Sequence, residues 1–217
     1  MTQKDKILKI SQIIQILAQT YPDAKCSLDY TTPHELLVAV MLSAQCTDAR
    51  VNIVTKELFE RYKNVEDFAN ADLDELMSIV KPCGFYKNKA KNIISASADI
   101  LNLYGGKVPD TMESLTSLAG VGRKTANLIL GDIYGKPGLV IDTHAIRITN
   151  RLGLTKQKDP VKIEFELKKI IPPEHQIKFC HRIVHHGRAI CSARKPQCEI
   201  CPLAQVCDYG KGQKGEK

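Results

Sequence analysis

Apolar positions along the chain recur at helical spacing. Ile7, Ile10, Ile14 and Leu17 fall on one face of a first helix that ends near Tyr21–Pro22. Thr32 before Pro33 reads as an N-cap with proline at the first helical position. It opens a helix through Leu36, Leu37, Val40 and Met41. Further helices are predicted at about 48–62, 72–80, 87–104, 111–118, 123–134, 143–152, 160–171 and 175–189. Their breaks fall at Pro82/Gly84, Gly105–Gly106, Gly120/Gly122, Gly135/Pro137/Gly138, Gly153 and Pro172–Pro173. The run Leu139, Val140, Ile141 is too short to establish a sheet, no stretch alternates convincingly, and no internal repeat is present. The expected fold class is all-α. The Lys/Gly-rich end at 210–217 reads as a disordered tail.

Composition narrows the class. At 217 residues, 43% apolar and 25% charged, the chain is long enough to bury a core without covalent staples. No run of about 18 apolar residues could span a membrane, and the N-terminus is charged and periodic, unlike a signal peptide. A cytoplasmic protein is expected. The net charge of +7 is unevenly placed. Residues 175–217 hold eight Lys or Arg against three Asp or Glu, a net +5, so a polyanion such as nucleic acid is the first partner to consider.

Four of the eight cysteines crowd into one segment, Cys191-x6-Cys198-x2-Cys201-x5-Cys207. In a reducing compartment such a group reads as a metal site and not as a disulfide framework. Tetrahedral Zn and a [4Fe–4S] cluster both fit the spacing, and the lone Cys-x2-Cys knuckle leans towards the cluster. Arg194 and Lys195 lie on a loop whose ends the metal would join, where they suit phosphate contacts or a merely solvated surface. His181 and His185 have zinc-helix spacing, but Arg182 stands where a zinc protease carries its Glu. With His186 they read as surface or helix-packing residues. Cys26, Cys46, Cys83 and Cys180 read as small buried apolar residues.

The segment from Ser117 to Asn127, Ser-Leu-Ala-Gly-Val-Gly-Arg-Lys-Thr-Ala-Asn, is neither a dinucleotide fingerprint nor a P-loop. The third glycine of the first is Thr125 here, and the glycine before Lys-Thr of the second is Arg123. A helix, a tight turn at Gly120 and Gly122, and a helix beginning near Arg123 remain. Backbone N–H groups at that helix start would hold a phosphate without reading a base, although a plain helix–helix connection has the same outline. Lys124 sits in the first turn, where most lysines are solvated charges. Asp142 ends an apolar run before Thr143–His144, where an N-cap alone would explain it.

Taken together the chain resembles the endonuclease III family of DNA repair glycosylases, in the helix-hairpin-helix superfamily. The resemblance rests on Leu42-Ser-Ala-Gln-Cys-Thr-Asp48, Gly84-Phe-Tyr-Lys-Asn-Lys-Ala90, the hairpin at 118–127, Val140-Ile-Asp-Thr-His144 with Arg147, and the cysteine spacing. It implies a two-lobed fold, with a helical domain at 25–137 containing the hairpin at about 111–134. A second domain would be formed by 1–24 and 138–217, with the cluster loop at 191–207. It also implies a [4Fe–4S] cluster on Cys191, Cys198, Cys201 and Cys207 in preference to Zn. The implied activity is removal of an oxidised pyrimidine followed by cleavage at the abasic site, on double-stranded DNA, by a monomer. Ala119 stands where the family usually has proline, and Cys46 where alanine is more usual.

By this resemblance Lys124 is the nucleophile and Asp142 the assisting carboxylate. The chemistry agrees, because a neutral lysine amine can form a Schiff base with the sugar and permit β-elimination. A free lysine titrates near about 10.4, so that role asks for burial or cationic neighbours such as Arg123. Gln45 and Phe85 are implied to probe and wedge the duplex. Gly120, Gly122, Arg123, His144, Arg194 and Lys195 are the remaining DNA-contacting candidates, and Asp48 is placed near the pocket. A mismatch-specific glycosylase of the same superfamily and a non-catalytic DNA-structure-binding protein are the alternatives. Purified protein is expected to absorb broadly at about 400 nm and to contain roughly four irons per chain. Stoichiometric zinc instead would overturn the cluster.

Overall fold

A computed structural model of the chain describes residues 2–214, which are helical with no strand among them. The chain divides into two compact units, Ser27–Tyr134 and Met1–Cys26 with Gly135–Lys217.

The unit Ser27–Tyr134 is built on α2 (Pro33–Ser43). Thr32 caps it by accepting from Glu35 N, and Glu35 returns a bond to Thr32 N. Every residue from Leu36 to Leu42 is buried, so this helix has no polar face and its neighbours pack around it. Those neighbours are α3 (Asp48–Arg61), α6 (Tyr86–Tyr104) and α8 (Arg123–Asp132), with α4 (Val65–Ala69), α5 (Leu73–Val80) and α7 (Met112–Ser117) completing the unit. The sequence does not predict α4, whose five residues are too few to show a period. Its one local signal is Asn64, whose side chain caps it through Asp67 N. On α2, His34 Nε2 lies 2.9 Å from Ser97 Oγ, and burial pushes its imidazole down to about 4, so the ring is neutral at pH 7.

In the other unit, α1 (Gln3–Thr20) buries Ile10, Ile13, Ile14 and Leu17 and packs on α11 (Gln176–Ala189). Ile7, predicted on that buried face, is 47% exposed. The unit also contains α9 (Thr143–Arg151), α10 (Pro160–Lys168) and α12 (Asp208–Lys214). Where α9 crosses α11, a Cβ on Gly187 would run into His144 Nδ1 and meet Arg147 Nη2 at 3.0 Å, so any side chain there would displace the two. The end predicted to be disordered from Gly210 is instead helical as far as Lys214, and 215–217 lie outside the described residues. Of the scattered cysteines, Cys83 and Cys180 are buried as expected, whereas Cys26 and Cys46 are only half-buried. Val140 N donates to Cys180 Sγ at 3.2 Å.

The hairpin turn depends on Gly120. Its φ is +74°, and a Cβ there would meet Asn92 Nδ2 at 2.8 Å and Asn92 Cβ at 2.9 Å. Gly120→Ala is expected to lower stability by about 1–3 kcal/mol, from left-handed strain plus overpacking. Urea unfolding measures this, and an unchanged midpoint would refute it.

Candidate active site and metal-binding loop

The predicted site residues divide between the two units. Gln45, Asp48, Phe85, Gly120, Gly122, Arg123 and Lys124 belong to Ser27–Tyr134, and Asp142, His144, Arg194, Lys195 and the four clustered cysteines belong to the other.

The hairpin runs from α7 through the turn at Leu118–Gly122 into α8. Val121 N donates to Leu118 O at 3.1 Å, which closes the turn. Gly122 is the N-cap of α8 and supplies no capping side chain, whereas Thr32 and Thr47 cap α2 and α3 with their hydroxyls. The start of α8 therefore carries the positive end of the helix dipole without a capping side chain from Gly122, a setting that favours an anion. Lys124 lies in this first turn and is exposed, while Arg123 beside it is half-buried. The burial that the sequence argument asks of Lys124 is thus absent from the free protein.

Two further loops carry Gln45 and Phe85. Both residues are exposed, and they are the two non-glycine residues with positive φ among those described, at 54° and 49°. A left-handed backbone costs a residue with a Cβ about 1–2 kcal/mol, so both turns are held by their surroundings. Asp48 opens α3 and accepts from Ser27 Oγ at 2.5 Å, which makes it a local structural anchor. Between these loops, burial and the neighbouring Cys46 push the Cys83 thiol up to about 11, so it stays protonated at neutral pH.

Asp142 is the N-cap of α9, and Oδ1 accepts from Ala145 N at 2.7 Å. Capping occupies one carboxylate oxygen and leaves the charge in place. One turn on, Arg147 Nη2 lies 3.1 Å from His144 Nδ1, and Arg147 Nε and Nη2 donate to the Cys191 carbonyl at 3.2 and 3.0 Å. Arg147 thus links the helix that begins with Asp142 to the first clustered cysteine.

All four clustered cysteines line one pocket, together with Arg151, His186, Leu203 and Ala204. Among the described residues no three His, Cys, Asp or Glu side chains gather as a single-ion site. Four thiol donors on a mostly apolar lining fit an iron–sulfur cluster. Burial and the neighbouring thiols push Cys201 up to about 11 and raise Cys198 as well. Bound iron would supply the charge that compensates thiolates at Cys198 and Cys201. His186 is buried, with Nδ1 3.2 Å from Tyr21 Oη and Nε2 3.6 Å from Cys201 Sγ. Burial pushes its imidazole down to about 4, so it is a neutral wall of the pocket and not a basic surface residue.

Arg151 organises the loop after Cys191, and the sequence reading missed it. Nη1 donates to Cys191 Sγ at 3.2 Å and Ser192 O at 2.7 Å, and Nη2 donates to Ala193 O at 2.8 Å. Its spacing of four from Arg147 on one helix face was the available signal. Gln197 N donates to Ile190 O at 3.0 Å and closes the loop, which leaves Arg194 and Lys195 exposed on it. Arg151→Met is expected to speed iron loss to a chelator by about tenfold or more, since outer hydrogen bonds of this kind hold metal ligands in place. An unchanged bleaching rate would show that the loop is held otherwise.

Residues 38–173 match the HhH-GPD superfamily base excision DNA repair protein family. Residues 191–207 match the iron-sulfur binding domain of endonuclease III. Endonuclease III of Synechocystis sp. is 48% identical over 92% of this chain and 91% of its own. The enzyme of Bacillus subtilis is 43% identical over 97% of both. Among solved structures, a non-covalent endonuclease III–DNA complex superposes with a TM-score of 0.90 at 41% identity, covering all of both chains. A trapped endonuclease III–DNA covalent intermediate matches as well, with a TM-score of 0.90 over 99% of both. A thermostable thymine-DNA glycosylase, 21% identical, shares the fold at a TM-score of 0.83. The chain belongs to the HhH-GPD superfamily of base excision DNA repair proteins and, within it, to the endonuclease III family.

Proposed function

We propose that this chain removes oxidised pyrimidines from double-stranded DNA and cleaves the backbone at the abasic site, with Lys124 as nucleophile. The observation that carries the reading is Lys124 in the uncapped first turn of a helix entered through a glycine hairpin, in a chain 41% identical to an endonuclease III trapped covalently on DNA. The Lys124 amine forms a bond to the sugar C1′ while the C1′–N bond breaks and the base leaves with its electron pair. The nitrogen then gives up a proton to the ring oxygen as the C1′–O4′ bond breaks, which leaves a protonated imine and makes the C2′ proton acidic. Removal of that proton expels the 3′ phosphate. The exposed Lys124 is covered by the substrate itself. The Asp142 carboxylate is suited to stabilise positive charge developing on the sugar and to assist the amine's proton transfer.

Around this centre, the open N–H groups after Gly120 and Gly122, with Arg123, hold a backbone phosphate. Gln45 and Phe85 fill the space that the extruded base leaves. Cys191, Cys198, Cys201 and Cys207 would hold the family's [4Fe–4S] cluster, whose contribution is to fix the loop that presents Arg194 and Lys195. His144, clamped by Arg147, is a further candidate contact, and Asp48 serves α3. Among the described residues no helix is long and apolar enough to cross a membrane. A cytoplasmic, nucleoid-associated monomer fits a DNA substrate.

Borohydride is expected to trap native protein on abasic or lesion DNA. Lys124→Gln should give no adduct, and an adduct with nicking at the native rate would overturn the assignment. Asparagine caps as well as aspartate, so Asp142→Asn isolates the charge. Its stability should change by under about 1 kcal/mol, while single-turnover base release should fall by about a hundredfold or more at unchanged DNA affinity. Native turnover would leave Asp142 as a helix cap only.

A further inference from the structure

The Gly84–Ala90 motif contains a second lysine to which the sequence reading assigns no role. Lys89 lies on α6, 6% exposed, and burial lowers its pKa from the usual lysine range. Its Nζ donates to three backbone carbonyls: Leu42 at 2.9 Å, Ala44 at 2.7 Å and Cys83 at 2.8 Å. An ammonium has three N–H donors, and here each has a partner. Two of the carbonyls belong to the last turn and cap of α2, where the helix leaves its C=O groups unpaired and its dipole is negative. The third belongs to the short 3₁₀ turn Lys81–Cys83.

The placement of those carbonyls is specific. Ala44 directly precedes Gln45, and Cys83 is separated from Phe85 only by Gly84. Both residues are left-handed, and Phe85 is 64% exposed, so side-chain packing does not fix its turn. One buried charge therefore joins the only two described turns in which a side chain with a Cβ adopts this backbone. Burying an ammonium is a costly way to secure a loop that apolar packing could secure alone. What it adds is geometry, because a point charge with three directed donors sets the two turns relative to each other within one unit.

We propose that Lys89 is a positioning residue for base extrusion: its ammonium locks the Gln45 and Phe85 turns into one arrangement, so that both side chains enter the duplex together. This rests on the reading that Gln45 and Phe85 occupy the space of the extruded base. Without the tie, the two turns would have to be ordered on DNA, and extrusion would bear that entropy. Chemistry at Lys124 on a site that needs no extrusion would be unaffected.

The test compares three readouts in native protein, Lys89→Met, Phe85→Ala and the double variant. They are the fluorescence of 2-aminopurine beside a paired thymine glycol, single-turnover release of that base, and borohydride trapping on an abasic site in single-stranded DNA. Lys89→Met is expected to lower the fluorescence change and base release by about ten- to a hundredfold, with trapping within about twofold of native. Adding it to Phe85→Ala should cost less than about threefold more, because the two act through one step. Parallel loss of trapping, or fully multiplicative losses in the double variant, would make Lys89 a general stabiliser and overturn the proposal. Should Lys89→Met fail to fold, Lys89→Gln, which retains an NH2 for two of the carbonyls, is read in the same way. If Phe85→Ala and Gln45→Ala extrude the base normally, the reading of those two residues fails, whatever Lys89 does.

Discussion

The carbonyls of Leu42 and Ala44, at the end of α2, lie beyond the last backbone N–H of their own helix, and the buried ammonium of Lys89 supplies their partner. The same constraint governs the rest of the molecule, since each helix leaves N–H groups open at its start and C=O groups open at its end. Along most of the chain a short side chain answers it: Thr32, Thr47, Asn64, Asp72, Thr111 and Asp159 each cap the helix that follows. The candidate chemistry lies where the answer differs. Helix α8 begins with a glycine that caps nothing, α9 begins with an acid whose charge exceeds what capping needs, and α2 ends on a lysine from another helix.

These exceptions divide the work between rigid and open elements. The body of α2 is buried from Leu36 to Leu42, so its end cannot drift, and α8 packs directly against it. Lys124 is nevertheless exposed, because it sits at the edge of that packing and not within it. Lys124, the proposed nucleophile, thus stays in water while the helix that carries it is already packed. In the other unit, Arg147 and Arg151 perform the corresponding task by binding the backbone and sulfur of Cys191 and the two carbonyls after it.

Much of this was legible in the sequence, for identifiable reasons. Amphipathic period and capping residues located the long helices, and close cysteine spacing located the metal loop, because these signals are local. The short α4 carried only its cap, since five residues do not complete two turns. Lys89 was invisible for the opposite reason: two of its partners lie 45 and 47 positions away and are backbone atoms, which no side-chain pattern records. Arg151 drew no reading from the sequence, although its place one turn beyond Arg147 is a usable hint. The tail beyond Gly210 misled because its Lys and Gly content outweighed, in a reading by composition, the packing of α12 on α9.

The unit that holds the clustered cysteines is assembled from both ends of the chain, with Ser27–Tyr134 inserted between them. During synthesis α1 therefore leaves the ribosome long before α11, the helix it packs on. Its apolar side, Ile10, Ile13, Ile14 and Leu17, lacks its α11 partner while the inserted unit is made. That interval closes only when α11 has been made. Maturation of the metal loop, whose walls include α9 and α11, can only follow its end.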